Sequence, residues 1–319
     1  MILRVPGAAE GDLAGGVFRG VVRQYRLAVR NAPLLLGFAI LAASPVRSGA
    51  QAGETRPAAI PDLTGARGVA LGAYRGILPG NDGIYGNAAA LAARRRYSIE
   101  TQWLLERQGA DNALQIISGS VVDSQSTLTG GFAYGKVFDG PFTGNLFHLP
   151  LAFAATEGLF LGVTGKYFSL DGPSGEGVRA LNLDASAFWR ASTMFALGFS
   201  GYNLLSAGHR QVMPRGLGAG ASVGDDRRFH IAADWRGDFQ RQDKLTSLFA
   251  IGAEVLVGDY FPLRGGWMRD GTRDASFWSA GVGLVTTGGF AVDLAYRQGL
   301  DDPSNRTLAA GIKFFLLSQ

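Results

Sequence analysis

Thr307-Leu308-Ala309-Ala310-Gly311-Ile312-Lys313-Phe314-Phe315-Leu316, close to the C-terminus, alternates with period two. Leu308, Ala310, Ile312, Phe314 and Leu316 fall on one face; Thr307, Gly311 and Lys313 fall on the other. Only an extended strand puts residues two apart on one face. The pattern recurs upstream. Phe290, Val292, Leu294 and Tyr296 alternate with Ala291, Asp293, Ala295 and Arg297; Phe229, Ile231, Ala233 and Trp235 alternate with His230, Ala232, Asp234 and Arg236. Leu159, Leu161, Val163 and Tyr167 alternate with Phe160, Gly162, Thr164, Lys166 and Phe168. Separated by turn residues, such blocks fill the chain from residue 97 onward, at 97–107, 113–122, 127–137, 147–155, 158–168, 178–190, 192–202, 216–223, 228–237, 245–257, 259–269, 275–285, 288–298 and 305–317. The longest connections between them are 203–215, 138–146 and 169–177.

Two architectures accept such strands. A soluble sandwich turns the apolar face inward, whereas a membrane barrel turns it out to lipid. The barrel is favoured on three counts. The blocks are about ten residues long, the length a tilted strand needs to cross a bilayer. Aromatics (Tyr97, Trp103, Tyr167, Trp189, Tyr202, Trp235, Tyr260, Trp267, Trp278, Tyr296) sit near block ends, as an interfacial girdle requires. The opposite face is rich in Gly, Ala and Ser, which suits a crowded lumen. The expected fold is all-β, a transmembrane antiparallel barrel of about 14 strands over residues 97–319.

Composition narrows the function. The chain has 319 residues with 47 glycines, no cysteine and three histidines, His148, His209 and His230. Thiol chemistry, disulfides and cysteine-based metal sites are excluded, and the histidine spacing forms no metal motif. No metal or other cofactor is expected. Residues 1–52 carry six arginines against Glu10 and Asp12, so the remaining residues balance 24 basic with 24 acidic side chains. A neutral mature chain gives no basic field for nucleic acid. Neither histidine near a strand pattern sits in a Gly-x-Ser-x-Gly elbow, so no catalytic residue is assigned and an enzyme is not expected. Gly216-Leu217-Gly218-Ala219-Gly220 lies in a strand pattern without a following helix and is read as wall, not as a nucleotide loop.

The front of the chain reads as an export signal. Arg23, Arg26 and Arg30 precede the apolar run 32–43, followed by Ser44-Pro45 and a small-x-small site ending at Ala52. Residues 1–52 are expected to be a signal peptide and leader, with cleavage after Ala52. Export, no cysteine and barrel strands together predict the outer membrane of a Gram-negative bacterium.

Between the leader and the first strand lie Gly65-Ala66-Arg67-Gly68-Val69-Ala70-Leu71-Gly72 and Asn81-Asp82-Gly83-Ile84-Tyr85-Gly86-Asn87-Ala88-Ala89-Ala90-Leu91. This resembles the opening of the PorV/PorQ-type outer membrane proteins, relatives of the FadL-like long-chain fatty acid transporters. There a Gly-Ala-Arg segment leads to an Asn-Pro-Ala-Gly-Leu box before strand 1; here the box reads Asn87-Ala88-Ala89-Ala90-Leu91. Further along, Gly158 to Tyr167, Leu183-Asp184-Ala185, Gly201-Tyr202-Asn203-Leu204, Gly252-Ala253-Glu254, Leu263-Arg264-Gly265-Gly266-Trp267 and Val292-Asp293-Leu294-Ala295-Tyr296 resemble family segments in order. The resemblance implies a fourteen-stranded barrel whose residues 53–96 plug the lumen, with Asn81, Asp82, Asn87 and Leu91 in the plug.

The charges on the assigned lumen faces are Lys166, Asp184, Asp234, Arg236, Glu254, Arg264, Asp293, Arg297 and Lys313. They are read as an ion network filling the lumen, or as groups that hold the plug or line a path. Glu254 and Arg264 flank a short turn and are expected to pair across strands. The resemblance implies two functions. The first is a docking or shuttle component for protein export or envelope assembly, with secretion or envelope proteins as partners. The alternative is a FadL-like transporter with a hydrophobic ligand. Short connections and a segment poor in large apolar residues lean to the first. Outer membrane lipid is a partner in both.

Overall fold

The computed structural model describes residues 65–73, 80–109, 112–172, 177–205, 213–225, 228–239 and 245–317. The expected signal peptide and its cleavage point, and His209, lie outside them. Fourteen antiparallel strands form one closed barrel in which each pairs with its sequence neighbours and β1 closes on β14. They are β1 (Arg96–Gln108), β2 (Asn112–Asp123), β3 (Leu128–Asp139), β4 (Phe142–Ala154), β5 (Leu159–Asp171), β6 (Gly177–Arg190), β7 (Phe195–Tyr202), β8 (Gly216–Asp225), β9 (Phe229–Asp238), β10 (Thr246–Val257), β11 (Phe261–Asp270), β12 (Ala275–Val285), β13 (Phe290–Gly299) and β14 (Arg306–Leu317). Closure leaves no strand edge, which is what a sheet needs inside hydrocarbon.

The alternation sorts the faces as the period requires. Leu149, Leu181, Phe199, Ile251 and Leu294 point outward and are more than half exposed, whereas the residues between them are buried inside. In water each such side chain would forgo about 1 kcal/mol of burial, and dozens of them make a soluble form untenable. Covered by lipid, the same face is stabilising. No helix among the described residues is long and apolar enough to cross a membrane, and the strands do the crossing.

One connection differs from expectation. Residues 138–146 are not a loop: β3 runs to Asp139, β4 starts at Phe142, and Gly140-Pro141 makes a two-residue hairpin. Gly140 carries φ +55°, the left-handed conformation such a tight turn demands. The two ends of the barrel also differ. Connections at the end where β1 begins and β14 finishes are three or four residues long; at the other end they range from two to thirteen, the longest being 203–215. Short turns face the periplasm and longer ones the exterior, so the second end is the outer one.

Residues 65–73 and 80–95 precede β1 and lie against the lumen faces of the strands. They form α1 (Ala66–Leu71), α2 (Gly83–Gly86) and a 3-10 helix over Ala88–Ala93. A Gly72 amide to the Gly68 carbonyl closes α1, with Gly72 at φ +68°.

Candidate lumen site

Small residues on the wall make the seat for α1. Gly252 on β10 and Gly266 on β11 are register partners, and a methyl at either would overlap the Leu71 carbonyl. Gly281 on β12 lies so close to Ala70 that an added Cβ would sit 2.5 Å from the Ala70 Cβ. The Ser279 hydroxyl donates to the Ala70 carbonyl at 2.7 Å. Charge fixes the same helix: the Arg67 guanidinium donates twice to Glu254, at 3.0 Å from Nε and 2.6 Å from Nη2. Glu254 also accepts from Arg264, its register partner, and Arg264 reaches Asp293 at 2.5 Å. His230 Nδ1 lies 3.4 Å from the same carboxylate. A bidentate guanidinium pair is directional, so it sets where α1 sits and not only how strongly it is held.

Residues 80–93 hold the opposite wall through hydrogen bonds rather than ion pairs. Asn81 accepts from the Ser98 hydroxyl at 2.6 Å and donates to Ser120 at 3.0 Å. Asp82 accepts from the Gly65 amide at 2.7 Å and from Gln102 at 3.1 Å, which ties the two parts of the segment together. The Gly86 carbonyl accepts from Ser200 and Tyr202, at 2.7 and 2.9 Å. Asn87 donates to the Ala187 carbonyl at 3.2 Å, and the Ala89 amide donates to Ser186 at 3.1 Å. Ala88-Ala89 runs so close over Gly162 that any side chain there would strike its backbone. Leu91 packs with Ile84, Ala88, Val122 and Ala133. Tyr202, expected in the outer girdle, points inward instead, because β7 turns Phe195, Leu197 and Phe199 to the lipid.

The other lumen charges form further pairs. Lys166 meets Asp184 at 2.7 Å, and Asp184 also accepts from the Asn203 amide. Lys313 lies 3.3 Å from Glu100. Arg236 meets Asp238 at 3.0 Å, with Asp234 buried on the same strand. Near the outer end Glu106 takes Arg273 at 2.7 Å and Arg297 at 3.1 Å. Burial alone would lower the Arg273 guanidinium, but Glu106 and Asp270 beside it reverse that and raise it. The predicted charges are therefore not one cluster. Glu254, Arg264 and Asp293 sit together, while Lys166–Asp184 and Lys313–Glu100 stand apart.

The sequence reading missed the apolar part of the lumen. Leu104, Leu114, Ile116, Val137, Phe142, Leu146, Phe168 and Leu170 face inward on the outer halves of β1–β5 and form one cluster with Ala295, Ala309 and the α1 residues Ala66, Val69 and Ala70. Val178 on β6 and Met213 from the longest connection pack against it. Doublets such as Leu104-Leu105 and Ile116-Ile117, apolar on both faces, were the available signal. The outer lumen is thus greasy on one side, and α1 and residues 80–93 lie at mid-height and below.

The wall has one local interruption near this segment. The β3–β4 ladder pairs Gly130 with Leu151 and Ala133 with His148, and skips the two steps between. Pro150, which has no N–H to give, sits in that gap. On the lumen side Tyr85 packs edge-on against His148 at 5.1 Å.

No family model matches the sequence, and no curated protein matches it significantly. Solved structures do resemble the fold. The Ralstonia pickettii toluene transporter TbuX matches at 14% identity and TM-score 0.61, over 81% of this chain and 99% of that one. The CymD monoaromatic hydrocarbon channel matches at 13% and 0.59, over 80% and 98%. A Pseudomonas aeruginosa FadL homologue matches at 12% and 0.58, over 82% and 98%. The chain has the fold of FadL-like outer membrane barrels. The PorV/PorQ side of the sequence resemblance finds no support in these comparisons.

Proposed function

We propose that this barrel is an outer membrane conduit for neutral hydrophobic small molecules, the alternative drawn from the sequence, and not a docking component for secretion. The inward apolar cluster on the outer halves of β1–β5, with Val178 and Met213, carries this reading. A pocket that accepts greasy ligands is mostly apolar with few placed polar groups; a barrel used only as a dock has no need to turn Phe168 and Leu170 inward. Seven of the described lumen cations, Arg67, Lys166, Arg236, Arg264, Arg273, Arg297 and Lys313, each have a carboxylate partner. With these seven committed to the protein's own acids, the reading favours uncharged hydrocarbons over fatty acid anions. The named neighbours, a toluene transporter and a monoaromatic hydrocarbon channel, support the same class.

In this reading the ligand enters from outside and partitions into the apolar chamber. Residues 65–73 and 80–93 act as a plug forming its floor. Release follows displacement of that floor, or passage through the wall at the Gly131/Pro150 gap, where two steps of the β3–β4 ladder are missing. The test is uptake of radiolabelled toluene by cells that consume it in the cytoplasm. Uptake is expected to rise several-fold with the barrel and to return to background with Phe168→Glu, while the heat-modifiable gel shift of the folded barrel persists. Equal uptake with and without the barrel, or stoichiometric co-purification of a protein partner, would overturn it.

A further inference from the structure

Polar residues on the lipid-facing wall need a reason. Near the outer end of β3–β6 one cross-strand row consists of Lys136, Asn145, Ser169 and Arg179, each the register partner of the next. All four belong to the outward set of their strands, between exposed Tyr134, Tyr167 and Leu181 and the outer turns. Lys136 Nζ and the Tyr134 hydroxyl both donate to Asn145 Oδ1, at 3.3 and 2.9 Å, and Asn145 Nδ2 donates to Ser169 at 3.2 Å. Among the described residues neither Lys136 nor Arg179 pairs with a carboxylate. Among the described residues Asp171, an acid on this face, lies one pleat further out opposite Thr143. One pleat towards the membrane centre runs an aromatic row: Tyr134 and Phe147 at 5.0 Å, Phe147 and Tyr167 at 6.1 Å.

We infer that this row, with the aromatic shelf beneath it, is a binding site for a phosphate-bearing lipid headgroup of the outer leaflet. The aromatic row marks the interface, where amphipathic rings sit at headgroup level. A lipid docked on the wall therefore lays its acyl chains over Tyr134, Phe147 and Tyr167 and brings its headgroup level with the polar row. Three strand spacings separate Lys136 from Arg179, about 14 Å. A headgroup with two phosphates on a disaccharide-sized spacer meets a cation at each end. Asn145 between them supplies a neutral partner for the sugar hydroxyls, and buried Ser169 holds it in place. The hydrogen bond to Asn145 holds the Lys136 ammonium along the row, so less side-chain freedom is lost on binding.

The experiment is native mass spectrometry of the intact barrel in mild detergent, titrated with diphosphoryl lipid A, its dephosphorylated counterpart and phosphatidylglycerol. The wild type is expected to retain diphosphoryl lipid A most tightly. Each cation at a membrane surface contributes about 1 kcal/mol towards an anionic lipid, so K136Q/R179Q should bind it roughly 30-fold more weakly. Arg228→Gln, at the other end of the barrel, should bind as the wild type does. Gel mobility of the unheated variants checks the fold. The inference is overturned if K136Q/R179Q stays within twofold of the wild type, if the dephosphorylated lipid binds equally well, or if the wild type retains no diphosphoryl lipid A. The result is independent of what the lumen carries.

Discussion

The outer chamber and the seat of α1 are both inner faces of one sheet, yet they are built by opposite rules. In the apolar cluster of the outer lumen Leu114, Ile116, Phe168 and Leu170 pack among other apolar side chains, including Ala66, Val69 and Ala70 of α1, and residues of similar volume and polarity would serve. In the seat Gly252, Gly266, Ser279 and Glu254 each meet a particular atom of α1. The first surface is permissive in shape; the second holds one helix in one place. The proposed conduit uses both, the first as a vestibule and the second as a floor with a defined closed position.

The largest effect that can separate the two comes from Glu254→Gln. The change keeps the shape and removes the charge that both Arg67 and Arg264 use. Breaking a buried pair from one side costs about 3–5 kcal/mol. That cost falls on the seat, because the backbone ladders of β10 are untouched. Planar bilayer recordings should show a conductance absent from the wild type. A variant that stays closed would mean that the glycine contacts alone hold α1, and the ion network would then be structural filling.

Gly252→Ala attacks the seat sterically. Its methyl meets the Leu71 carbonyl, and overpacking of this kind costs about 1–3 kcal/mol. The open fraction should rise, though less than for Glu254→Gln. Gly165→Ala is the internal comparison, since a Cβ there meets nothing within 4 Å. Equal conductance in the two variants would remove the argument from close approach.

These contrasts also show what was legible in the sequence. Period two located all fourteen strands, because lipid outside and a crowded lumen inside impose alternation on each of them. It failed where both faces are apolar: Leu104-Leu105 and Ile116-Ile117 offer no contrast to read, and the chamber went unseen. The start of β4 was lost because Gly140, Pro141 and Gly144 together look like a loop, although only the first two turn. Glu254 and Arg264 were readable as a pair because one short hairpin joins them. Their third partner, Arg67, is 187 residues from Glu254, and no local pattern carries that distance. The glycine seat was equally hidden, since a glycine states only that something comes close and never what.

Ser279→Ala gives the smallest and sharpest contrast. It removes the hydrogen bond to the Ala70 carbonyl without adding bulk, and so leaves a buried acceptor short of a partner. The expected cost is about 1 kcal/mol, roughly a fivefold shift in the ratio of open to closed barrels. Phe168→Leu removes more apolar volume from the cluster that also holds Ala66, Val69 and Ala70, but it leaves the ion pair, the Ser279 hydrogen bond and the glycine contacts of α1 in place. It should lower hydrocarbon uptake and leave the open fraction unchanged. If Ser279→Ala alters conductance and Phe168→Leu alters uptake, the two halves of the lumen act separately. If each changes both readouts, chamber and floor move as one body, and the ligand itself is what unseats α1.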